Sequence, residues 1–316
     1  MNQIITNETT QSKITMRQKL SLPEDLTFGI EIEYANAYKS KVDRLFSRTS
    51  FTSKEDSTVS KTCEHKDTFI ICGGEVSSSI LKNNPNSWKK VVDSCTVLKS
   101  LGAEISDGTS GHIHIGANKL KTAKEWLQMI KLWIIYEDII YRFSMGENDQ
   151  LRSSAYDYAQ KCGLVLKKHL PYLEDHLDDP LVRFIYRIKA DAFLGSRNYG
   201  INPYPYKESR TEKILPTIEF RCPNGTLNPA IWQNNINFFS HLVLASKLNL
   251  DEEQLDARIA SLTEEDFSYE EYHKINEAKA LELANIIFDN PLDKTNFLTQ
   301  YYEKKDNPPK ILRKVS

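Results

Sequence analysis

The residues best suited to chemistry come in pairs spaced two apart. FGIEIE carries Glu31 and Glu33, GHIHIG carries His112 and His114, and TIEFR carries Glu219 and Arg221. Side chains on a strand alternate between faces, so both members of each pair point to one side, opposite Ile30 and Ile32, Ile113 and Ile115, or Ile218 and Phe220. A fourth run, ICGGEVSS, adds Glu75 after Gly73 and Gly74, whose missing side chains would let a ligand approach the backbone. If these strands share a sheet, one face gathers four carboxylates and two imidazoles. Two like charges about 6 Å apart repel by about 3 kcal/mol at an effective dielectric near 20. Arg221, with Arg197 upstream, cannot balance four carboxylates. Hard divalent cations can, and carboxylate oxygens mixed with an imidazole suit Mg²⁺ or Mn²⁺ better than a thiolate-seeking metal. Taken singly, a Glu-x-Glu reads as a solvent-facing edge, a Glu-Phe-Arg as a surface ion pair and a Gly-Gly-Glu as a bulge. Their coincidence on alternating strands is what points to one shared, metal-bearing site.

The elements that must position these pairs follow from periodicity. Residues 1–22 are polar without a sustained repeat and read as a flexible lead-in. Alternation from Leu26 to Tyr34 predicts a strand, and 36–67 reads as a long polar loop with one short strand near Leu45 to Phe51. A strand is expected at Phe69 to Val76, a helix at Trp88 to Ser100 and a strand at Gly111 to Ala117. Thr122 with Glu125 three residues on is a capping box, opening a helix that runs to Met145-Gly146. Further helices at about 155–169 and 180–193 complete a helical block over 119–194. Strands return at Ser196 to Asn202 and Ile214 to Arg221, and Asn228-Pro229 starts a helix through Leu248. Beyond Asp251 the chain is acidic and helical to Asp289, ending in a basic tail with Lys304, Lys305, Lys310, Arg313 and Lys314. The expected class is α+β, a curved antiparallel sheet with flanking helices. Its parts are a lead-in (1–22), a catalytic domain (23–250) and a C-terminal helical extension (251–316).

Composition bounds the function. The 316 residues hold 41 Lys and Arg against 43 Asp and Glu, a net charge of −2, which argues against a general nucleic-acid binder. A hydrophobic content of 40% and a charged content of 27% exclude a wholly disordered chain. The most apolar stretch, Leu132 to Ile140, is short and broken by Glu137 and Asp138, so no membrane span is expected. The N-terminal residues contain no apolar run of the secretory kind. Five cysteines without a CxxC pair read as reduced thiols, and a cytoplasmic location is the expectation. Cys63, His65 and Cys72 find no fourth zinc ligand at a convincing spacing.

The series FGIEIE, GGEV, GHIHIG, SRNYGIN and IEFRCPNGTLNPAIW, between Leu26 and Leu248, resembles the amidoligase family of the glutamine synthetase and glutamate–cysteine ligase superfamily. The resemblance implies a glutamine synthetase-like sheet, ATP entering at one end, and two or more Mg²⁺ or Mn²⁺ ions. It further implies that Glu31, Glu33, Glu75, His112 and Glu219 are metal ligands and that His114 lies near the nucleotide phosphates. Arg221 would meet the transferred phosphoryl or substrate carboxylate, and Arg197 would be the arginine preceding that strand. The chain departs from the family's Asp-x-Ser step, since Asp56 is directly followed by Ser57. The implied reaction joins a carboxylate to an amine through an acyl phosphate, with small-molecule or peptide substrates. No Ser-His or Cys-His arrangement and no lysine adjacent to the motifs suggests a protein nucleophile. A phosphotransferase on the same scaffold, or an inactive nucleotide-binding or structural protein, stays open, as does the oligomeric state.

Overall fold

The computed structural model describes residues 14–65, 68–204 and 217–302. The chain opens with β1 (Thr27–Tyr38), α1 (Lys39–Phe46), β2 (Phe51–Lys54), β3 (Lys61–His65), β4 (Thr68–Ser78), β5 (Leu81–Lys82) and α2 (Pro85–Ser100). Next come β6 (Gly111–Gly116), α3 (Ala123–Ser144), α4 (Ala155–Tyr158), α5 (Gly163–Glu174), α6 (Leu181–Arg187), β7 (Ile201–Tyr204) and β8 (Thr217–Phe220). Helices close the described chain: α7 (Pro229–Ala245), α8 (Glu252–Ser261), α9 (Tyr269–His273), α10 (Glu277–Ile287) and α11 (Pro291–Tyr302). The strands form one eight-stranded antiparallel sheet in the order β2-β4-β1-β6-β8-β7, with β3 also on β4 and β5 on β1. The protein is thus α+β, as the alternation predicts.

One face of the sheet is apolar and carries the core. Phe28, Ile30, Ile32, Ile113, Ile115, Ile218 and Phe220 are all buried there, and each such side chain contributes about 1.5–3 kcal/mol relative to exposure. Three helices cover this face. Trp88 of α2 stacks on Phe28 with centroids 5.0 Å apart, while Trp133 of α3 and Phe239 of α7 stack on Phe220 at 6.0 and 4.2 Å. The capping box is present at α3, where Thr122 Oγ1 accepts from the Glu125 N–H and Glu125 Oε2 from the Thr122 N–H, both at 3.2 Å. Phe297 of α11 packs on Phe143 and Phe238, both at 5.2 Å, so the C-terminal helices share this core. No helix of the described residues is long and apolar enough to cross a membrane.

Several expectations need correction. Residues 14–22 do not form a free lead-in: Leu20 and Leu22 enter the main core, Ile14 packs near Ile231, and Arg17 pairs with the buried Asp293. The strand expected near Leu45 is instead α1, because Val42 and Phe46 recur at helical spacing and bury together, and β2 begins only at Phe51. The helix expected over 155–169 breaks after one turn and resumes at Gly163. Glu137, beside the non-helical Tyr136 inside α3, accepts the Cys162 N–H at 2.7 Å and the Gly163 N–H at 2.9 Å, capping α5. The return strand starts at Ile201 rather than Ser196, and α11 extends helix beyond Asp289. The basic tail and residues 214–216 lie outside the described residues.

Candidate metal centre

Register decides which polar side chains meet. On the face opposite the core, Glu31 of β1 pairs with His112 of β6, His114 pairs with Glu219 of β8, and Glu33 pairs with Glu75 of β4. Three neighbouring strands therefore deliver the Glu-x-Glu, His-x-His and Glu-x-Arg pairs to one patch, which the period-two argument requires.

The tightest grouping is Glu31, His112 and Glu219, each offering one ligand atom with all three within 4.8 Å of one another. His112 Nδ1 lies 3.0 Å from Glu31 Oε2 and 3.8 Å from Glu219 Oε1. His114 Nε2 is 3.3 Å from the other oxygen of Glu31. Glu31 is thus held between two imidazoles. Burial opposes its ionisation, but the hydrogen bonds from His112 and His114 outweigh this and hold its carboxyl well below the usual range. For His114, burial disfavours the charged ring, yet the hydrogen bond to Glu31 and the charges of Glu31, Glu219 and Glu75 raise its pKa overall.

The other predicted residues form the surroundings. Glu33 is buried and accepts from Ser110 twice, at Oε2 from the backbone N–H (2.7 Å) and at Oε1 from the hydroxyl. Glu75 accepts from the Ser77 hydroxyl and lies 3.5 Å from Lys54 of β2. Burial, and then the charge of Glu31, push its carboxyl above the ordinary value. Arg221 donates from Nη1 to Glu219 (2.6 Å) and from Nε to the Tyr158 carbonyl at the end of α4 (3.0 Å), so its guanidinium is fixed at the rim. Arg197 stands exposed on the segment leading into β7. Asp56 caps its own turn, accepting from the N–H and hydroxyl of Thr58.

The two glycines before Glu75 admit the chain itself. A Cβ at Gly73 (φ +84°) would fall 2.7 Å from the Val59 carbonyl oxygen, and one at Gly74 (φ +153°) 2.7 Å from that of Lys54. What approaches the backbone there is the 54–59 segment, and not a ligand as the sequence suggests. This packing also brings Lys54 opposite Glu75, a lysine beside the motifs that the sequence reading missed.

Three further residues at the patch lie outside the motifs as read. Ser110 precedes GHIHIG by one position and shares the parity of His112 and His114, a signal that could have found it. Asn202 of β7, fully buried, donates from Nδ2 to Glu219 Oε2 at 3.0 Å, while its Oδ1 has no hydrogen-bond partner among the described residues. Arg152 is buried behind the patch, donating to the carbonyls of Arg221, Cys222 and Pro223 at 2.7–3.0 Å. Burial brings it down to about 10, so it stays charged at neutral pH.

The donor set fits a hard divalent cation. It consists of carboxylate oxygens and one imidazole nitrogen, without a thiolate, and an unpartnered amide oxygen stands next to Glu219. Among the described residues this is the group of His, Cys, Asp and Glu side chains able to hold an ion.

No curated protein matches the chain. Residues 50–243, which carry Glu75, both histidines, Glu219 and Arg221, match the family described as "putative amidoligase enzyme". Glu31 and Glu33 lie before the matched stretch, and the sheet register sets them between its strands. Since the match spans more than half of the sequence and its polar residues meet on one sheet face, the chain belongs to the amidoligase family.

Proposed function

We propose that the protein is a glutamine synthetase-like carboxylate–amine ligase that uses ATP with Mg²⁺ or Mn²⁺ and joins its substrates through an acyl phosphate. The observation that carries this reading is the convergence of Glu31, His112 and Glu219 on one face in a chain of the amidoligase family. These three would hold one ion, and the cross-strand pair Glu33 and Glu75 a second. Bound there, the ions would offset polyphosphate charge and align the attacking and leaving oxygens.

The remaining work falls to positioned side chains. His114, at the edge of the cluster, would neighbour the nucleotide phosphates. Arg221, pinned at two of its nitrogens, presents a rigid cation to the phosphoryl group in flight, where preorganised charge stabilises the transition state most. Arg197 would close on the same group from its exposed segment. The substrate carboxylate, from a small molecule or a peptide, attacks the γ-phosphoryl of ATP and ADP leaves; an amine then displaces phosphate from the acyl carbon. Five free thiols accord with a cytoplasmic setting.

The test is hydroxylamine trapping. With ATP, Mg²⁺ and pools of amino-acid and peptide carboxylates, hydroxamate should form together with ADP, and Arg221→Ala should lose turnover more than ATP affinity. A phosphorylated stable acceptor without hydroxamate would assign the site to phosphotransfer instead.

A further inference from the structure

We infer that Ser110 is a positioning residue of this centre: its hydroxyl, fixed by Glu33, holds the His112 ring by Nε2 so that Nδ1 faces Glu31 and Glu219. The inference rests on the metal reading above and concerns a residue outside the expected ligand set.

The hydroxyl of a serine carries one proton and two lone pairs, whereas an ionised carboxylate only accepts. Ser110 Oγ donates its proton to Glu33 Oε1. The same oxygen lies 2.8 Å from His112 Nε2, and with its proton already engaged it must accept there. Nε2 therefore bears the hydrogen. The ring is thereby held with its other nitrogen 3.0 Å from Glu31, to which Nδ1 donates, and 3.8 Å from Glu219, so that an ion taking the place of that proton would meet all three side chains. A histidine ligand whose far nitrogen is held by a hydrogen-bonded carboxylate is a recurrent way of orienting and strengthening the ligand. Here a serine is interposed.

The relay does not depend on an ion for its geometry. Ser110 bridges to Asn224 on one side, and on the other its carbonyl accepts the Glu33 N–H at 3.3 Å. Gly111 N donates to the Pro223 carbonyl at 3.1 Å, and Arg152 grips that same carbonyl from below at 2.7 Å. All three relay residues are buried, so water does not compete for the hydroxyl.

Two measurements test this. The first is ¹⁵N NMR of the histidine-labelled, metal-free full chain, with His112 assigned from His112→Gln; it should show a protonated, hydrogen-bonded Nε2, and Ser110→Ala should lose that hydrogen bond. The second is titration with Mn²⁺ alone, where Ser110→Ala should weaken binding about 10–100-fold and Ser110→Thr, which keeps a hydroxyl, should stay within about threefold of the native chain. Native affinity in a folded Ser110→Ala, or an unprotonated Nε2 in the native chain, overturns the inference. If the native chain binds no Mn²⁺ the metal reading fails, and if Ser110→Ala does not fold the titration is lost. In both cases the Nε2 hydrogen bond of the native chain still decides the role of Ser110.

Discussion

Glu75→Gln should stabilise the metal-free protein. Glu31, whose charge opposes the ionisation of Glu75, is its diagonal neighbour across the β1–β4 pair, which places the two about 7 Å apart. Charges about 7 Å apart with an effective dielectric near 20 repel by about 2 kcal/mol. Lys54 stands 3.5 Å from Glu75, but its side chain is 54% exposed, and a pair of that kind returns about 0–1 kcal/mol. About 1–2 kcal/mol of repulsion is left. With an unfolding entropy of about 2.1 cal/mol/K per residue over 316 residues, removing it raises Tm by about 2 °C. The gain has a pH signature. Burial and the charge of Glu31 raise the folded pKa of Glu75 above its ordinary 4.5, so the folded state holds this proton more tightly than the unfolded chain. The native protein therefore loses stability as pH rises from about 4.5 through the raised value, and the variant does not. Differential scanning calorimetry in EDTA should show the two converging in acid and separating at neutral pH, and saturating Mn²⁺ should reverse their order. A lower Tm for Glu75→Gln in EDTA at pH 7 would mean that Lys54 and Ser77 already neutralise the carboxylate, refuting the idea that this face is short of positive charge.

Other substitutions probe separate parts. Arg152→Met strands three buried carbonyls and should cost about 3–5 kcal/mol in denaturant unfolding; a loss under about 1 kcal/mol would remove its structural role. His112→Ala should lower Mn²⁺ occupancy, whereas His114→Ala should chiefly weaken binding of an ATP analogue, and the opposite pattern would exchange their assignments. Glu137→Gln replaces one of the two acceptor oxygens that serve Trp133, Tyr272 and the start of α5, and should destabilise by about 1–3 kcal/mol, read from thermal melts.

What the sequence disclosed and what it hid have a common physical origin. Alternation is a local property, so the three pairs, the common side of each and the apolar side behind it could be read from FGIEIE, GHIHIG and TIEFR alone. Local signals also located the capping box at Thr122 and the start of α7 at Asn228-Pro229. Register between distant strands is not local. Nothing near Lys54 announces that β2 will pair with β4 and set it against Glu75, and nothing near Arg152 announces the turn it grips 69 residues later. Gly73 and Gly74 misled for the same reason, since the atoms crowding them belong to Lys54 and Val59. The α1 segment was hidden differently: its Lys and Ser content resembles a loop, and only Val42 and Phe46 reveal the buried stripe.

The most direct test of a metal-dependent nucleotide site on this sheet face is calorimetric titration of a non-hydrolysable ATP analogue into the native full chain, first in EDTA and then with Mg²⁺ or Mn²⁺ restored. The cluster of Glu31, His112 and Glu219 predicts little affinity in EDTA and strong recovery with either metal. Equal affinity under both conditions would contradict it.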